Sequence, residues 1–421
     1  HAAGCGEQRG FALSSRQQPD AVAARVAAGI AIGAGGLIAL GAIASAAVAV
    51  IFARTVLTPP TKRAQDVRIR AVDDSTVTLS ATIDSMTPGR YGLWFSEDTG
   101  HARVGEIVSF TTDTVTRQLL QVDFGDLASA TRGRLGSWFY LSPDELGLPY
   151  SDVVVPTELG PAPSWLIPSA APTDRWVIQV HGRAVSRPET LRAVPVFHDA
   201  GYTSLLISYR NDGDAPRTSD YRYGLGDTEW RDVDAAMRYA IEHGARNLVL
   251  MGWSMGGATV LQALTRSSSA DRVSGVILES PVVDWVTALD FQGKVNRLPS
   301  ALRWGVLQLL SHRWAGRLTG QSEPIDLRRL DLVARADELH KPILLFHSED
   351  DGYVPATAST ALARARPDIV SFEHFMTARH VRLWNYDAAR WNSAITTWLR
   401  ALGAPTGRTG SPARRRSAAS D

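Results

Sequence analysis

Residues 248–257 read Leu-Val-Leu-Met-Gly-Trp-Ser-Met-Gly-Gly and constrain the fold more than any other stretch of the chain. An apolar run, a Gly-x-Ser-x-Gly turn centred on Ser254 and a helix-like segment at 258–264 follow one another without a gap. Gly252 and Gly256 suit a strained turn in which larger side chains would collide with neighbouring backbone. The pattern predicts a strand, a sharp turn and a helix, with the Ser254 hydroxyl held clear of a sheet.

The second half of the chain alternates β-type and helical patterns. Strands are predicted at 175–180, 203–208, 276–278, 343–346 and 369–375, and helices at 188–200, 227–242 and 387–402. This alternation predicts an α/β domain over 151–402, with a mostly parallel sheet covered by helices on both faces. In such a sheet, sites form beyond the carboxyl ends of the strands.

Residues 284–340 interrupt the alternation between two strands. Trp304, Leu307, Leu310 and Trp314 recur there at helical spacing, which predicts a helical cap over the site. An aromatic stripe of this kind serves packing, a pocket lining, or both.

Short β-type runs separated by turn residues occupy residues 67–150, and they predict a small antiparallel β-rich module. Five runs stand out, at 67–72, 76–83, 91–95, 106–110 and 118–122. Residues 54–66 contain Pro59-Pro60 and predict a linker. Residues 1–25 are interpreted as an N-terminal tail, and 403–421, rich in Arg, Ser, Ala and Gly, as a disordered basic tail.

Residues 26–53 form an uncharged segment of 28 residues between Arg25 and Arg54. About 20 apolar residues cross a bilayer core, and an ordinary signal-peptide core is shorter, so we predict an uncleaved single-pass transmembrane anchor. A cleaved signal peptide is the alternative, because 44–46 and 47–49 resemble small-residue cleavage sites. The Arg and Lys residues on either side leave the side of the membrane open.

The composition excludes several classes of function. A formal net charge of +1 offers no overall attraction to nucleic acid. Cys5 is the only cysteine, which excludes an intrachain disulfide and a cysteine-based zinc site. The glycine-rich stretches at 33–36 and 224–226 lack the setting of a dinucleotide or phosphate loop, and no metal-ligand spacing is present. We therefore expect no cofactor and no metal.

A serine hydroxyl becomes a good nucleophile when a base takes its proton and an acid orients that base. Downstream of Ser254, Asp351 follows one predicted strand and His380 follows another. The order Ser, Asp, His is that of an α/β-hydrolase triad. The alternatives are Asp350 or Asp284 as the acid and His347 or His198 as the base.

From about residue 152 to residue 402, the chain resembles serine hydrolases of the α/β-hydrolase superfamily, in the carboxylesterase and prolyl-oligopeptidase-like branch. The resemblance rests on the turn at Ser254, on Asp351-Gly-Tyr-Val-Pro355, on His380 before the last helix and on His181-Gly182 after an early strand. It implies that Ser254 is the nucleophile, Asp351 the acid and His380 the base. The anchor and the β-rich module lie outside the resemblance.

The oxyanion of an acyl-transfer intermediate needs two hydrogen-bond donors. The backbone amide of Met255 is the first, because it follows the nucleophile. The second is expected in the loop after His181-Gly182, at Arg183 or Ala184, with Arg183 as our prediction.

The sequence thus predicts a membrane-anchored serine hydrolase that cleaves small carboxylic esters through an acyl-enzyme on Ser254. The anchor and an apolar cap favour lipophilic esters. A serine peptidase or an acyltransferase would use the same triad, and a non-catalytic hydrolase-fold scaffold protein is the second alternative. The expected partners are an acyl ester and, through residues 26–53, a lipid bilayer, whereas no nucleic acid is expected and the oligomeric state is not indicated.

Overall fold

A computed structural model describes residues 45–403 of the 421-residue chain. Its helices are α1 (45–57), α2 (Val194–Asp199), α3 (Trp230–Glu242), α4 (Met255–Arg266), α5 (Trp285–Val295), α6 (Ser300–Ser311), α7 (Gly316–Thr319), α8 (Thr357–Ala365), α9 (Leu383–Tyr386) and α10 (Ala388–Gly403). Its strands are β1 (Val67–Val72), β2 (Thr76–Ser80), β3 (Tyr91–Phe95), β4 (Gly100–Phe110), β5 (Thr114–Phe124), β6 (Arg132–Gly136), β7 (Ser151–Thr157), β8 (Gly160–Ile167), β9 (Arg175–Val180), β10 (Thr203–Ile207), β11 (Asn247–Trp253), β12 (Val273–Glu279), β13 (Ile343–Ser348) and β14 (Val370–Phe375).

Strands β1 to β6 form a closed antiparallel barrel in the order β1-β2-β5-β4-β3-β6. Side chains alternate between buried and exposed along β1 and β2, so one face of each strand fills the barrel interior. The barrel closes where Val67 of β1 pairs with Gly133 of β6. The five predicted runs missed β6, because Arg-Gly-Arg-Leu-Gly is a poor strand sequence in isolation.

Strands β7 to β14 form an eight-stranded sheet in the order β14-β13-β12-β11-β9-β10-β8-β7. The six strands from β14 to β10 are parallel, and the β7–β8 hairpin adds an antiparallel edge. This arrangement confirms the predicted α/β-hydrolase fold. The hairpin was not predicted, since its prolines, Pro156, Pro161 and Pro163, argue against a strand except at a sheet edge.

The predicted helix at 188–200 is instead a 3₁₀ helix, Arg187–Ala193, followed by α2. Between β12 and β13 the chain forms the predicted helical segment, with α5, α6 and α7. The four residues of the predicted stripe do not share one environment. Trp304 and Trp314 are 64% and 61% exposed, whereas Leu310 is fully buried in the core and Leu307 packs against it.

Helix α1 contains the last residues of the segment that was predicted to span a membrane. Ala49, Ala53 and Leu57 are buried in the core of the α/β domain, whereas Ile51 is 64% exposed. Among residues 45–403, no helix is both long and apolar enough to cross a bilayer. Residues 26–44 of the predicted anchor, the tail at 1–25 and residues 404–421 lie outside the described range.

Candidate active site

Ser254 lies in the turn between β11 and α4, as the glycine pattern predicted. Its backbone angles are φ 52° and ψ −119°, a region that costs a non-glycine residue about 1–3 kcal/mol. A Cβ atom on Gly256 would lie 2.2 Å from the carbonyl oxygen of Val180, and one on Gly252 would lie 2.5 Å from that of Gly256. Only glycine fits at these two positions, so the turn depends on its own short sequence.

His380 and Asp351 complete a hydrogen-bonded line with Ser254. The Nε2 atom of His380 lies 3.0 Å from Ser254 Oγ, and its Nδ1 atom lies 2.6 Å from Asp351 Oδ2. The other oxygen of Asp351 accepts hydrogen bonds from the amides of Tyr353 and Val354, at 2.8 and 2.9 Å. Burial alone would raise the pKa of Asp351, but the charge of His380 and the histidine hydrogen bonds outweigh it and lower that pKa. The carboxylate therefore stays ionised at neutral pH, as an orienting acid must.

The alternative triad residues occupy other positions. Asp350 accepts a hydrogen bond from the Arg379 amide, and Asp284 caps the N-terminus of α5. His198 belongs to α2 and lies beside Asp199. His347 is fully buried, with Nδ1 2.8 Å from Ser359 Oγ and Nε2 3.3 Å from Asp351 Oδ2. Of the candidate histidines, His380 is the one within hydrogen-bond distance of Ser254 Oγ.

The expected oxyanion donors lie on two sides of Ser254. Met255 begins α4, and no acceptor for its amide lies among residues 45–403. The loop after β9 approaches from the other side, where a Cβ atom on Gly182 would be 3.4 Å from Ser254 Cβ. The amide of Ala184 donates to Tyr223 Oη at 3.2 Å, whereas the Arg183 amide has no acceptor in the described part of the chain. This difference favours Arg183 over Ala184 as the second donor.

A buried network supports the loop that carries Arg183. Tyr209 Oη donates to the carbonyl of Gly182 at 2.7 Å, and Tyr223 Oη donates to Asp212 Oδ1. Burial raises the pKa of Asp212 to about 7, although the hydrogen bond from Tyr223 and the charge of Arg183 oppose this rise. The loop thus rests on a carboxyl group that titrates near neutrality.

A cavity of about 870 Å³ opens onto Ser254 and His380. Its apolar lining comes mainly from α1 and α5, through Val48, Ile51, Phe52, Val56, Trp285, Ala288 and Leu289. Its polar lining includes the arginines Arg63, Arg134, Arg183, Arg379 and Arg382. The sequence indicated apolar helices near the site, but the contribution of α1 could not be anticipated, since that segment had been assigned to a membrane.

The side chain of Arg183 connects α1 to the loop after β9. Its Nε atom donates to the Val56 carbonyl at 2.9 Å, and its Nη2 atom donates to the carbonyls of Thr55 and Thr58 at 2.6 and 3.1 Å. A guanidinium group at the C-terminal end of a helix meets unpaired carbonyls and the negative end of the helix dipole. These bonds fix the end of α1 beside the serine.

Two family models match the chain. A domain of unknown function matches residues 68–136, which correspond to the barrel. The prolyl oligopeptidase family matches residues 190–403, that is 214 of the 421 residues. The chain belongs to the prolyl oligopeptidase family. Membership in that family confirms the predicted class, a serine hydrolase of the α/β-hydrolase type, and Ser254, Asp351 and His380 all lie within the matched range.

Among curated proteins, the chain is similar to the uncharacterized protein YqkD of Bacillus subtilis. The two are 26% identical over 193 residues, which cover 45% of this chain and 59% of YqkD. The chain therefore spans less than two thirds of the length of the curated relative that it matches.

Solved structures of esterases are also similar to this prolyl oligopeptidase family member. An esterase from Pyrococcus furiosus is 18% identical, with 62% of this chain and 94% of that chain covered at a TM-score of 0.49. An esterase from Exiguobacterium antarcticum is 16% identical, with 59% and 100% covered at a TM-score of 0.42. The esterase domain of a Rhodothermus marinus protein is 22% identical, with 61% and 100% covered at a TM-score of 0.42.

Proposed function

We propose that the protein is a serine hydrolase that cleaves carboxylic esters through an acyl-enzyme on Ser254. The observation that carries the proposal is the unbroken line from Ser254 Oγ through His380 to Asp351, at 3.0 and 2.6 Å. Each distance lies within hydrogen-bond reach, and the serine stands at the opening of a cavity of about 870 Å³.

In this reaction Ser254 Oγ attacks the ester carbonyl carbon while His380 Nε2 takes the hydroxyl proton. Asp351 keeps the Nδ1 atom of His380 protonated and stabilises the imidazolium ion that forms. The amides of Met255 and Arg183 donate to the oxyanion. His380 then protonates the departing alcohol, which leaves the acyl group on Ser254. Water attacks this acyl-enzyme with His380 again acting as the base, and the free acid departs.

The lining of the cavity supports an apolar acyl group. Phe52, Trp285 and Leu289 face it from α1 and α5, and pockets lined in this way gain affinity from buried hydrocarbon. A serine peptidase is the second candidate, because the matching family is described as the prolyl oligopeptidase family. An acyltransferase would share the first half of the reaction.

Labelling by a fluorophosphonate probe, compared between the intact protein and Ser254→Ala, tests the nucleophile. We expect labelling of the intact protein alone. Hydrolysis of p-nitrophenyl esters of increasing acyl length then tests the pocket, with a proline-containing peptide amide as the competing substrate. Faster turnover of the amide would favour the peptidase. A folded intact protein that does not react would contradict both enzyme proposals and favour the scaffold alternative.

We also propose that the apolar segment 26–53 brings the enzyme to a lipid bilayer, as its length and composition favour. Its last residues, 45–53, lie in α1 on the α/β domain, so the membrane contact would involve the residues before them. Co-sedimentation of the intact chain with phosphatidylcholine vesicles tests this proposal, and a chain that stays in the supernatant would contradict it.

A further inference from the structure

The loop that carries His380 is strained. It joins β14 to α9, and the residues on both sides of His380 have left-handed backbone angles, φ 66° at Arg379 and φ 48° at Val381. A branched residue such as valine rarely adopts this conformation, and strain of this kind persists only where surrounding contacts enforce it. The position of the imidazole therefore depends on whatever holds the loop.

Part of the support comes from the α/β domain itself. The amide of Arg379 donates to Asp350 Oδ1 at 2.9 Å, and that of Val381 donates to Ser280 Oγ at 3.1 Å. The side chain of Arg379 is bound there as well, since its Nη1 atom donates to the Asp350 carbonyl at 2.6 Å. The α/β domain therefore holds the backbone of the loop and part of the Arg379 side chain.

Asp84 of the barrel binds the side chains of both Arg379 and Arg382. Its Oδ1 atom accepts from Arg379 Nε at 3.2 Å, and its Oδ2 atom accepts from Arg382 Nη2 at 3.2 Å. The side chains of Asp84, Arg379 and Arg382 are only 23%, 19% and 12% exposed, respectively. Solvent therefore screens these ion pairs less than pairs on an open surface. One carboxylate thus bridges two arginines that flank His380 in the sequence.

The barrel presents Asp84 from a fixed position. Asp84 lies in the connection between β2 and β3, and the buried Arg117 donates to three carbonyls of that connection, those of Ser85, Thr87 and Gly89, at 2.7, 2.9 and 2.7 Å. A guanidinium group that satisfies three carbonyls from the barrel interior makes the connection rigid.

Further bonds tie the barrel to the segment just after His380. Arg382 Nη2 donates to the Leu135 carbonyl at 2.9 Å. The Arg90 amide donates to the Asn385 carbonyl at 3.0 Å, and Asn385 Nδ2 donates back to the Arg90 carbonyl at 2.9 Å. The barrel therefore contacts residues 379–385 at several points, and the ion pairs of Asp84 are among them.

We propose that Asp84 is a positioning residue for His380, and that the barrel matched only to a domain of unknown function completes the active site of the hydrolase. The inference rests on the proposed function, because it assigns His380 as the base. Without Asp84 the strained loop relaxes, and Nε2 moves away from Ser254 Oγ. An error of about 1 Å in such a group lowers turnover by up to about 100-fold.

The test compares Asp84→Asn, Asp84→Glu and Asp73→Asn in the full chain. Asp73 is a matched control, because it also accepts hydrogen bonds in a barrel turn but contacts only its neighbours Ser75 and Thr76. The measurements are kcat and KM for a short-chain p-nitrophenyl ester, the rate of fluorophosphonate labelling and the thermal midpoint. We expect Asp84→Asn to lower kcat and the labelling rate at least about tenfold while KM changes by less than about twofold. Asp84→Glu restores part of the loss, and Asp73→Asn leaves both rates unchanged.

Wild-type kcat in Asp84→Asn, or an equal loss in Asp73→Asn, would overturn the proposal while leaving the hydrolase function intact. A wild-type protein that neither labels nor hydrolyses esters would overturn both proposals. If Asp84→Asn does not fold, Arg379→Gln and Arg382→Gln remove the charge on the other side of the same bridge. We expect these two variants to show the same loss of kcat and of labelling rate, and wild-type turnover in both would overturn the proposal.

Discussion

The proposed nucleophile and the proposed base of the candidate active site are held in different ways. Ser254 occupies a strained turn that its own neighbours, Gly252 and Gly256, make possible. His380 occupies a strained loop that is held partly by Asp84, which lies 296 positions earlier in the chain. The strained backbone at Ser254 is thus maintained by its neighbours in the sequence, whereas the strained backbone around His380 is maintained by tertiary contacts. The first arrangement is a property of a short motif, and the second is a property of the whole fold.

The largest effect is expected from Gly256→Ala, which disrupts the turn that holds Ser254. The new Cβ atom would lie 2.2 Å from the carbonyl oxygen of Val180 and 2.4 Å from that of His181, both backbone atoms of a buried segment. We expect loss of soluble folded protein, or loss of fluorophosphonate labelling in what remains soluble.

Gly305→Ala is the matched control, because Gly305 lies in α6 with no atom within 4 Å of the added Cβ. That variant should retain labelling and gain about 1 kcal/mol in free energy of unfolding. Equal behaviour of the two variants would mean that the tight packing around the elbow does not govern its conformation.

The second effect concerns Asp351, the proposed acid, which lies 2.6 Å from Nδ1 of His380. Asp351→Asn keeps the size of the side chain but removes the charge that stabilises the imidazolium ion, so kcat should fall by about 10⁴-fold. Asp350→Asn is the neighbouring control, since an amide oxygen at that position still accepts from the Arg379 amide. A loss of kcat in Asp350→Asn as large as that in Asp351→Asn would reassign the acid. The measurement is kcat for a p-nitrophenyl ester in both variants.

A third prediction concerns the loop after β9, which carries Arg183. It tests whether the stability of this loop depends on the distant residue Asp212. Burial raises the pKa of Asp212 to about 7, so this carboxyl takes up a proton on folding between its unfolded pKa, about 3.9, and that value. Its contribution to stability is complete below the unfolded pKa and is lost as the pH rises through 7. As the pH rises from 5 to 8, the wild-type protein should lose this contribution and Asp212→Asn should not. The thermal midpoint of Asp212→Asn should therefore rise relative to that of the wild type over this range.

Thermal melts of both proteins at several pH values provide the measurement for Asp212. Parallel curves would mean that the pKa of Asp212 is not raised in the folded protein, and that the stability of the loop beneath Arg183 does not depend on its protonation.

The smallest effect concerns a second distant segment, α1. Ile51 lines the cavity and is otherwise exposed. Ile51→Trp should fill part of the acyl site and lower kcat/KM for octanoate esters by about tenfold, with little change for acetate esters, because each lost methylene contact is worth about 0.8 kcal/mol.

Val295→Trp on α5 is the control for Ile51→Trp, because Val295 is exposed and does not line the cavity. Chain-length profiles that match in the two variants would place the acyl group elsewhere in the cavity.

The same contrast explains what the sequence alone could predict. The elbow, the alternation of strands and helices and the order of Ser254, Asp351 and His380 were predictable, because each follows from local pattern or chain order. The structure brings these three side chains into one hydrogen-bonded line. The prediction of Arg183 rather than Ala184 as the second oxyanion donor is favoured by the position of Tyr223, which binds the Ala184 amide.

Other features could not be predicted, because they depend on pairs of residues that are far apart in the chain. Nothing in the sequence around Asp84 marks it as a partner of Arg379 and Arg382. Closure of the barrel required the unpromising strand β6 to pair with β1. The apolar residues 45–53 have the composition of a membrane segment, and only their packing against the α/β domain shows a role at the cavity.

The bonds between Arg183 and α1 have a consequence for dividing the protein into fragments. A fragment that begins at β1 would contain both family-matched regions and every residue of the triad. It would nevertheless lack the three carbonyl groups that accept hydrogen bonds from the Arg183 guanidinium, and it would lack one wall of the cavity. We therefore expect an active fragment to need α1 in addition to the two family-matched regions.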